Sequence, residues 1–283
     1  MRYDGLYADV GSVRLNYRTV GQGPVSILFL HGFASSATTW HDIVGLFPAD
    51  RYTLILLDMK GFGKSDKPRD GAYSIEDHAG LVRAFIGVLG LRSLVIAGHS
   101  LGGAVALRVC IDAKDNTDSF SVESLVLIDP AAYPQRLPRF FRKLKSPPGL
   151  LFLRLIPVRM LVQGVLERVF FDSSRITPER FERYKRYFRG KGIAHALRAT
   201  VKAVDPDAYI GIEELYRQLD LPVLIVWGAE DRNVRVELGR RLNRDIPGSR
   251  LKILDRCGHN PHEERPEETA GAVLSFLDEA RTF

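Results

Sequence analysis

Cysteine is scarce in this chain: Cys110 and Cys257 are its only two in 283 residues. They follow no metal-ligand spacing, and a thiol inside a small-residue helix, as at Cys110, reads as buried and free, which argues for a reducing compartment. The opening Met1-Arg2-Tyr3-Asp4-Gly5 carries no apolar stretch, so no secretory signal is expected, and the two observations together give a cytoplasmic expectation. No run reaches the ~20 apolar residues that a membrane-spanning helix needs. Internal repeats and low-complexity segments are also missing. What is present is a hydrophobic content of 45%, enough for a large core, in a length that suits one domain with an insertion or two small domains.

Charge is unevenly placed. Residues 131–219 hold 18 Lys and Arg against 8 Asp and Glu, a net of +10 in a chain whose total is +6, which leaves −4 for the remainder. No stacking or groove-reading motif accompanies the basic segment, so nucleic acid is not an expected partner. Its charge speaks to solubility or to weak attraction for an anionic membrane surface.

Apolar runs punctuate residues 1–130, near 26–30, 53–57, 93–97 and 121–128. Helical patterns separate them, at about 38–47, 74–89 and 101–113. Continuous apolar strands alternating with helices imply an α/β protein, with a mostly parallel central sheet flanked by helices on both faces. Val13 to Val20 alternates instead and reads as a half-exposed edge strand. Residues 220–283 resume the pattern with two strands and two helices. Residues 131–219 break it: they show no strand and four helical stretches, at 138–145, 149–169, 177–189 and 191–204.

Gly98-His99-Ser100-Leu101-Gly102 lies between the run Ser93-Leu94-Val95-Ile96-Ala97 and the helix start Gly103-Ala104-Val105-Ala106. Strand, G-x-S-x-G turn and helix are the context of a nucleophile elbow. The turn strains the serine backbone, so residues two before and two after must lack bulk. The hydroxyl then projects at a helix N-terminus, whose dipole favours developing negative charge. A plain N-cap serine is the competing reading. A serine nucleophile needs a base and an acid. Pro222 to Gly228 reads as a buried strand with Asp231 just past its end. Arg250 to Leu254 reads as the next, followed by Cys257-Gly258-His259-Asn260. The order is Ser100, Asp231, His259.

With these motifs the chain resembles the α/β-hydrolase superfamily over nearly its whole length, least in the middle. The resemblance extends to His31-Gly32-Phe33 after the strand Ile27 to Leu30, and to Asp58-Met59-Lys60-Gly61-Phe62-Gly63-Lys64-Ser65 after the strand Thr53 to Leu57. Lys60 stands where the family more often has arginine. The resemblance implies an α/β-hydrolase fold whose core is residues 1–130 and 220–283, with 131–219 as a helical cap inserted after strand six. It implies Ser100 as nucleophile, His259 as base and Asp231 as the acid that orients it. By motif position the backbone N–H groups of Phe33 and Leu101 would bind the oxyanion. Asp129, at the end of the strand Val126-Leu127-Ile128, is the alternative acid, because some relatives place it after strand six. His31 is expected to order the oxyanion loop, His99 to fill the elbow and Glu230 to be solvated. His262 lies three residues from His259, but no Cys or carboxylate cluster completes a metal site. His41, His78 and His195 carry no signal.

Two other motifs fail on inspection. Gly63-Lys64-Ser65 would end a P-loop only with glycine where Asp58 stands, and Gly61-x-Gly63 lacks the third glycine of a dinucleotide fingerprint. No cofactor is therefore expected. Serine rather than aspartate at position 100 points to acyl transfer to water, and the elbow and His31-Gly32-Phe33 are similar to those of small carboxylesterases and monoacylglycerol-type lipases. Carbon–carbon bond hydrolases of aromatic degradation also use serine, but usually with a glycine- and proline-rich loop where this chain has Phe33-Ala34-Ser35-Ser36. A third possibility is a small-molecule receptor of the same fold with a slow triad. The expectation is a serine esterase for a small ester with an apolar acyl group. The apolar stretch from Leu150 to Phe171 suggests either a pocket roof or simple cap packing. Individual substrate-binding residues and the oligomeric state are not readable.

Overall fold

The computed structural model describes residues 5–113, 119–134, 156–203 and 210–280. Eight strands form one sheet: β1 (Leu6–Val10), β2 (Val13–Val20), β3 (Val25–Leu30), β4 (Tyr52–Leu57), β5 (Ser93–His99), β6 (Ser121–Ile128), β7 (Val223–Gly228) and β8 (Arg250–Leu254). Their spatial order is β1-β2-β4-β3-β5-β6-β7-β8. β1 with β2 and β2 with β4 are antiparallel, and every later pair is parallel.

The apolar runs become strands because both sheet faces are covered. Leu28, Leu30, Ile55, Leu57, Ile96 and Leu127 face one core layer with helices α2 (Ile75–Val88) and α3 (Leu101–Asp112). Their neighbours Ile27, Phe29, Leu54, Leu56, Val95 and Val126 face the other, with the C-terminal helix Pro266–Ala280. Successive strand residues point to opposite faces, so a strand covered on both needs apolar residues throughout.

The sheet corrects one expectation. Val13 to Val20 is an interior strand between β1 and β4, and the edge is β1, with Leu6 and Tyr7 exposed. An antiparallel strand wetted on one face alternates wherever it lies, so alternation did not mark an edge. The helix expected at 38–47 is a 3₁₀ turn, Ala37–Trp40, followed by the single turn α1 (His41–Val44). The Ser36 side chain caps Thr38 N–H, and Asp58 accepts from Ala37 N–H, so the chain is pinned before a longer helix can start.

Between β6 and β7 lie α4 (Val158–Val169), α5 (Pro178–Tyr187), α6 (Ile193–Ala203) and the short α7 (Ile212–Tyr216), which had no sequence signal. The stretch 138–145 and the start of 149–169 lie outside the described residues, as does Leu150 to Leu155. Val162, Leu166, Phe170, Tyr184 and Tyr187 form a small cluster separate from the two sheet layers. After β7 come α8 (Val236–Asp245), α9 (Pro261–Glu264) and α10 (Pro266–Ala280). No helix of the described residues is long and apolar enough to cross a membrane.

The parallel strands reverse their winding between β3 and β5, which are neighbours in space but not in sequence. In open α/β sheets the crevice at the carboxyl ends of such strands is where ligands bind. Ser100 follows β5 there, and His31-Gly32-Phe33 follows β3.

Candidate active site

Ser100 stands between β5 and α3 at φ 52°, ψ −115°. A non-glycine residue in that region costs ~1–3 kcal/mol and persists only where its surroundings hold it. They do: Ser100 N–H donates to Ile128 O at 3.0 Å, and Ser100 O accepts from Ala131 N–H at 3.0 Å. The turn is too tight for side chains on its glycines. A Cβ on Gly98 would lie 2.4 Å from Gly102 O, and one on Gly102 would lie 2.2 Å from Leu30 O.

The hydroxyl of Ser100 lies 3.0 Å from His259 Nε2, and His259 Nδ1 lies 2.6 Å from Asp231 Oδ2. Asp231 Oδ1 accepts from Asn233 N–H at 2.6 Å and Val234 N–H at 3.0 Å. Burial alone would push the Asp231 carboxyl upward, but His259 and these two donors outweigh it and hold it below the usual range. An ionised Asp231 only accepts, so His259 Nδ1 carries the proton and a neutral ring leaves Nε2 bare toward the serine. The arrangement can take a proton from Ser100 Oγ and keep the resulting imidazolium beside a fixed carboxylate.

Three sequence-predicted residues thus come together, and the alternative acid does not join them in the same way. Asp129 is fully buried and its Oδ1 accepts from Gly228 N–H at 3.1 Å rather than from His259. Asp129, Asp231 and His259 bring ligand atoms within 4.8 Å of one another, and His259 and Asp231 already bond each other. Glu230, expected to be solvated, accepts from Cys257 N–H at 2.8 Å.

Leu101 and the loop of Phe33, the expected oxyanion donors, flank Ser100. Leu101 is the first residue of α3, so its N–H has no acceptor within the helix. The loop of Phe33 abuts Ser100: a Cβ on Gly32 would lie 3.2 Å from Ser100 Cβ. His31 orders this loop. Its Nδ1–H donates to Gly32 O at 2.8 Å and its Nε2 accepts from Met59 N–H at 3.1 Å. Burial lowers its pKa despite Asp58 nearby, as that neutral, doubly used ring requires.

Several residues that sequence reading passed over hold the base. His99 is more than an elbow filler: its Nε2–H donates to the His259 carbonyl at 2.8 Å, and burial with His259 nearby lowers its pKa to about 3. The His262 ring lies 4.6 Å from that of His99, and its Nε2 contacts Thr39 Oγ1 at 2.9 Å. From the other side, His259 N–H donates to Val169 O at the end of α4, at 2.7 Å. Glu264 accepts from Gly258 N–H and from Phe171 N–H. Arg180 and Arg183 of α5 both reach Asp42, at 2.6 and 2.9 Å, and Arg183 reaches the buried Glu263 at 3.0 Å. Tyr184 O–H also donates to Glu263. His99 in the elbow, and His262, Glu263 and Glu264 just after His259, carried a sequence signal; Asp42, Arg180, Arg183 and Tyr184 did not.

A strained serine at a strand–helix turn after β5, bonded to a histidine after β8 and through it to an aspartate after β7 of a mostly parallel sheet, is the arrangement of a hydrolase of α/β architecture. Residues 27–272 match the family model of the alpha/beta hydrolase family, and the chain belongs to that family. It is 31% identical over 265 residues to the uncharacterized hydrolase YugF of Bacillus subtilis (strain 168), covering 90% of each chain. It is 26% identical to a 2-hydroxy-6-oxononadienedioate/2-hydroxy-6-oxononatrienedioate hydrolase of Burkholderia vietnamiensis, covering 98% of this chain and 95% of the relative. Among solved structures, a bacterial membrane phospholipase A superposes with a TM-score of 0.81 at 29% identity, over 99% of this chain and 87% of the other.

Proposed function

We propose that this protein is a serine hydrolase that cleaves carboxylic esters through an acyl-enzyme on Ser100. The observation that carries the reading is the unbroken line from Ser100 Oγ through His259 to Asp231. Ser100 Oγ attacks the acyl carbon as His259 Nε2 takes its proton. The carbonyl oxygen, now an oxyanion, meets the N–H groups of Leu101 and Phe33 and the positive end of α3. His259 then gives the proton to the departing alcohol. Water repeats the sequence on the acyl group and frees Ser100.

Residues 131–219 act in this reading as a cap over Ser100 that sets substrate choice. The bonds from Val169 O to His259 N–H and from Phe171 N–H to Glu264 support that place for α4. The expected substrate is a small ester with an apolar acyl group. The net charge of +10 on this segment adds attraction for anionic esters or an anionic membrane surface.

The Burkholderia vietnamiensis relative supports a second reading, hydrolysis of a carbon–carbon bond beside a ketone, which needs the same serine and base. One experiment separates the two. Steady p-nitrophenol release from an acetate-to-decanoate ester series supports ester hydrolysis, with kcat/KM rising to an intermediate chain length at about 0.8 kcal/mol per buried methylene. Cleavage of a vinylogous diketone with kcat/KM well above that for any ester favours the second reading. A single burst without turnover points to a receptor. Salt that weakens binding of anionic esters but not neutral ones supports the electrostatic part.

A further inference from the structure

Asp129 follows β6, beside the end of β7 that leads to Asp231. Its side chain has no exposure, and its backbone holds φ 41°, a left-handed conformation at a residue other than glycine. Such strain persists only where packing enforces it. Oδ1 is fixed by Gly228 N–H at 3.1 Å. Oδ2 is buried and receives no hydrogen bond from any described donor. No Lys or Arg among the described residues pairs with the carboxyl. The groups that face it are Asp231 after β7, His259 and Cys257 in the loop after β8, and Glu264 on α9.

Two buried carboxyl groups so close do not both ionise, because like charges repel strongly away from solvent. Asp231 has His259 and two backbone donors, so it keeps the charge. The second carboxyl then keeps a proton, and the one unsatisfied oxygen in the group becomes a donor. Burial, the Asp231 charge and contact with Asp231 all push Asp129 well above the usual carboxyl range.

We propose that Asp129 is a positioning residue: a protonated carboxyl that donates from Oδ2 to the Asp231 carboxylate and so limits how strongly Asp231 binds the His259 proton. This rests on the serine-hydrolase reading above. A donor on Asp231 spreads its charge and weakens its pull on the imidazolium, which keeps His259 able to pass its proton to the leaving group.

The test has a spectroscopic arm and a kinetic arm. In the infrared difference spectrum at neutral pH, wild type should show the carbonyl stretch of a protonated carboxylic acid that Asp129→Asn lacks. Absence of that band overturns the proposal. This arm needs no turnover, so it still reports if the esterase reading fails. In the kinetic arm Asp129→Gly, which tolerates the positive φ, removes the donor. Asp231 becomes more basic, the acidic limb of kcat/KM moves to higher pH, and kcat falls about tenfold. Asp129→Asn keeps an N–H donor without a charge and should restore most of that loss. If Asp129→Gly moves neither the limb nor kcat, or if Asp129→Asn is as impaired as Asp231→Asn, the proposal is wrong.

Discussion

Ser100 and His259 each depend on the other's position. In the proposed mechanism the serine hydroxyl is unreactive until Nε2 takes its proton, and Nε2 is free to take it because Asp231 holds the proton on Nδ1. Groups acting as one unit lose activity together. Ser100→Ala and His259→Ala should each remove nearly all esterase turnover, and the double variant should be little worse than either. Multiplied losses would contradict a shared mechanism. Asp231→Asn should lower kcat by roughly 10⁴, because an amide presents a donor where Nδ1–H needs an acceptor. The elbow, base and acid were legible as residues because each follows an apolar strand at a fixed offset. The resemblance favoured Asp231 over Asp129, but the residues alone did not decide between them, since each lies just past an apolar strand. Only the His259 Nδ1 contact, made across 28 residues of chain, separates them.

At the scale of elements, α5 is tied to the core beside the base. Asp42 takes both Arg180 and Arg183, and Glu263 takes Arg183 and Tyr184, with Asn260 Nδ2 donating to Glu263 at 2.9 Å. The net positive charge of residues 131–219 is thus spent partly on the acidic remainder of the same chain. Removing Glu263 takes one of two carboxylates from Arg183 and the buried acceptor from Tyr184 and Asn260. Glu263→Ala should cost about 3–5 kcal/mol in urea unfolding, well above the ~1 kcal/mol typical of point mutants. A loss under 1 kcal/mol would show that water replaces the carboxylate without penalty. This clamp was invisible in the sequence, because Asp42 and Arg180 are 138 residues apart and charge runs carry no partner information. The parallel strands were legible for the opposite reason: burial on two faces writes itself as a continuous apolar run. The weak places were local. α1 is one turn long, and the 3₁₀ turn before it starts at Ala37, whose N–H is taken by the distant Asp58.

Across the whole molecule, four histidines are folded in their neutral form. Burial lowers His31 and takes His262 well below its ordinary value, His78 falls to about 4 and His99 to about 3. In the unfolded chain each takes up a proton as pH falls through ~6.5, while the folded forms do not, so each withdraws stability with acid. Asp129, Glu263 and Glu264 work the other way. Burial raises all three, so the folded state holds their protons at a pH where the unfolded chain has lost them. The acid response is therefore a balance, and a melt of the wild type alone cannot apportion it. His78 isolates one side. It lies buried on α2 against Phe62, outside the groups that contact Ser100. Its shift from 6.5 to about 4 corresponds to ~3 kcal/mol, present above pH 6.5 and lost as pH drops to about 4. His78→Phe keeps an aromatic ring and removes the titration. The stability gap between wild type and this variant, from urea unfolding at stepped pH, should shift by ~3 kcal/mol in the variant's favour across that window. A gap that stays constant from neutral pH down to pH 4 would mean that the folded protein protonates His78 as readily as the unfolded chain does.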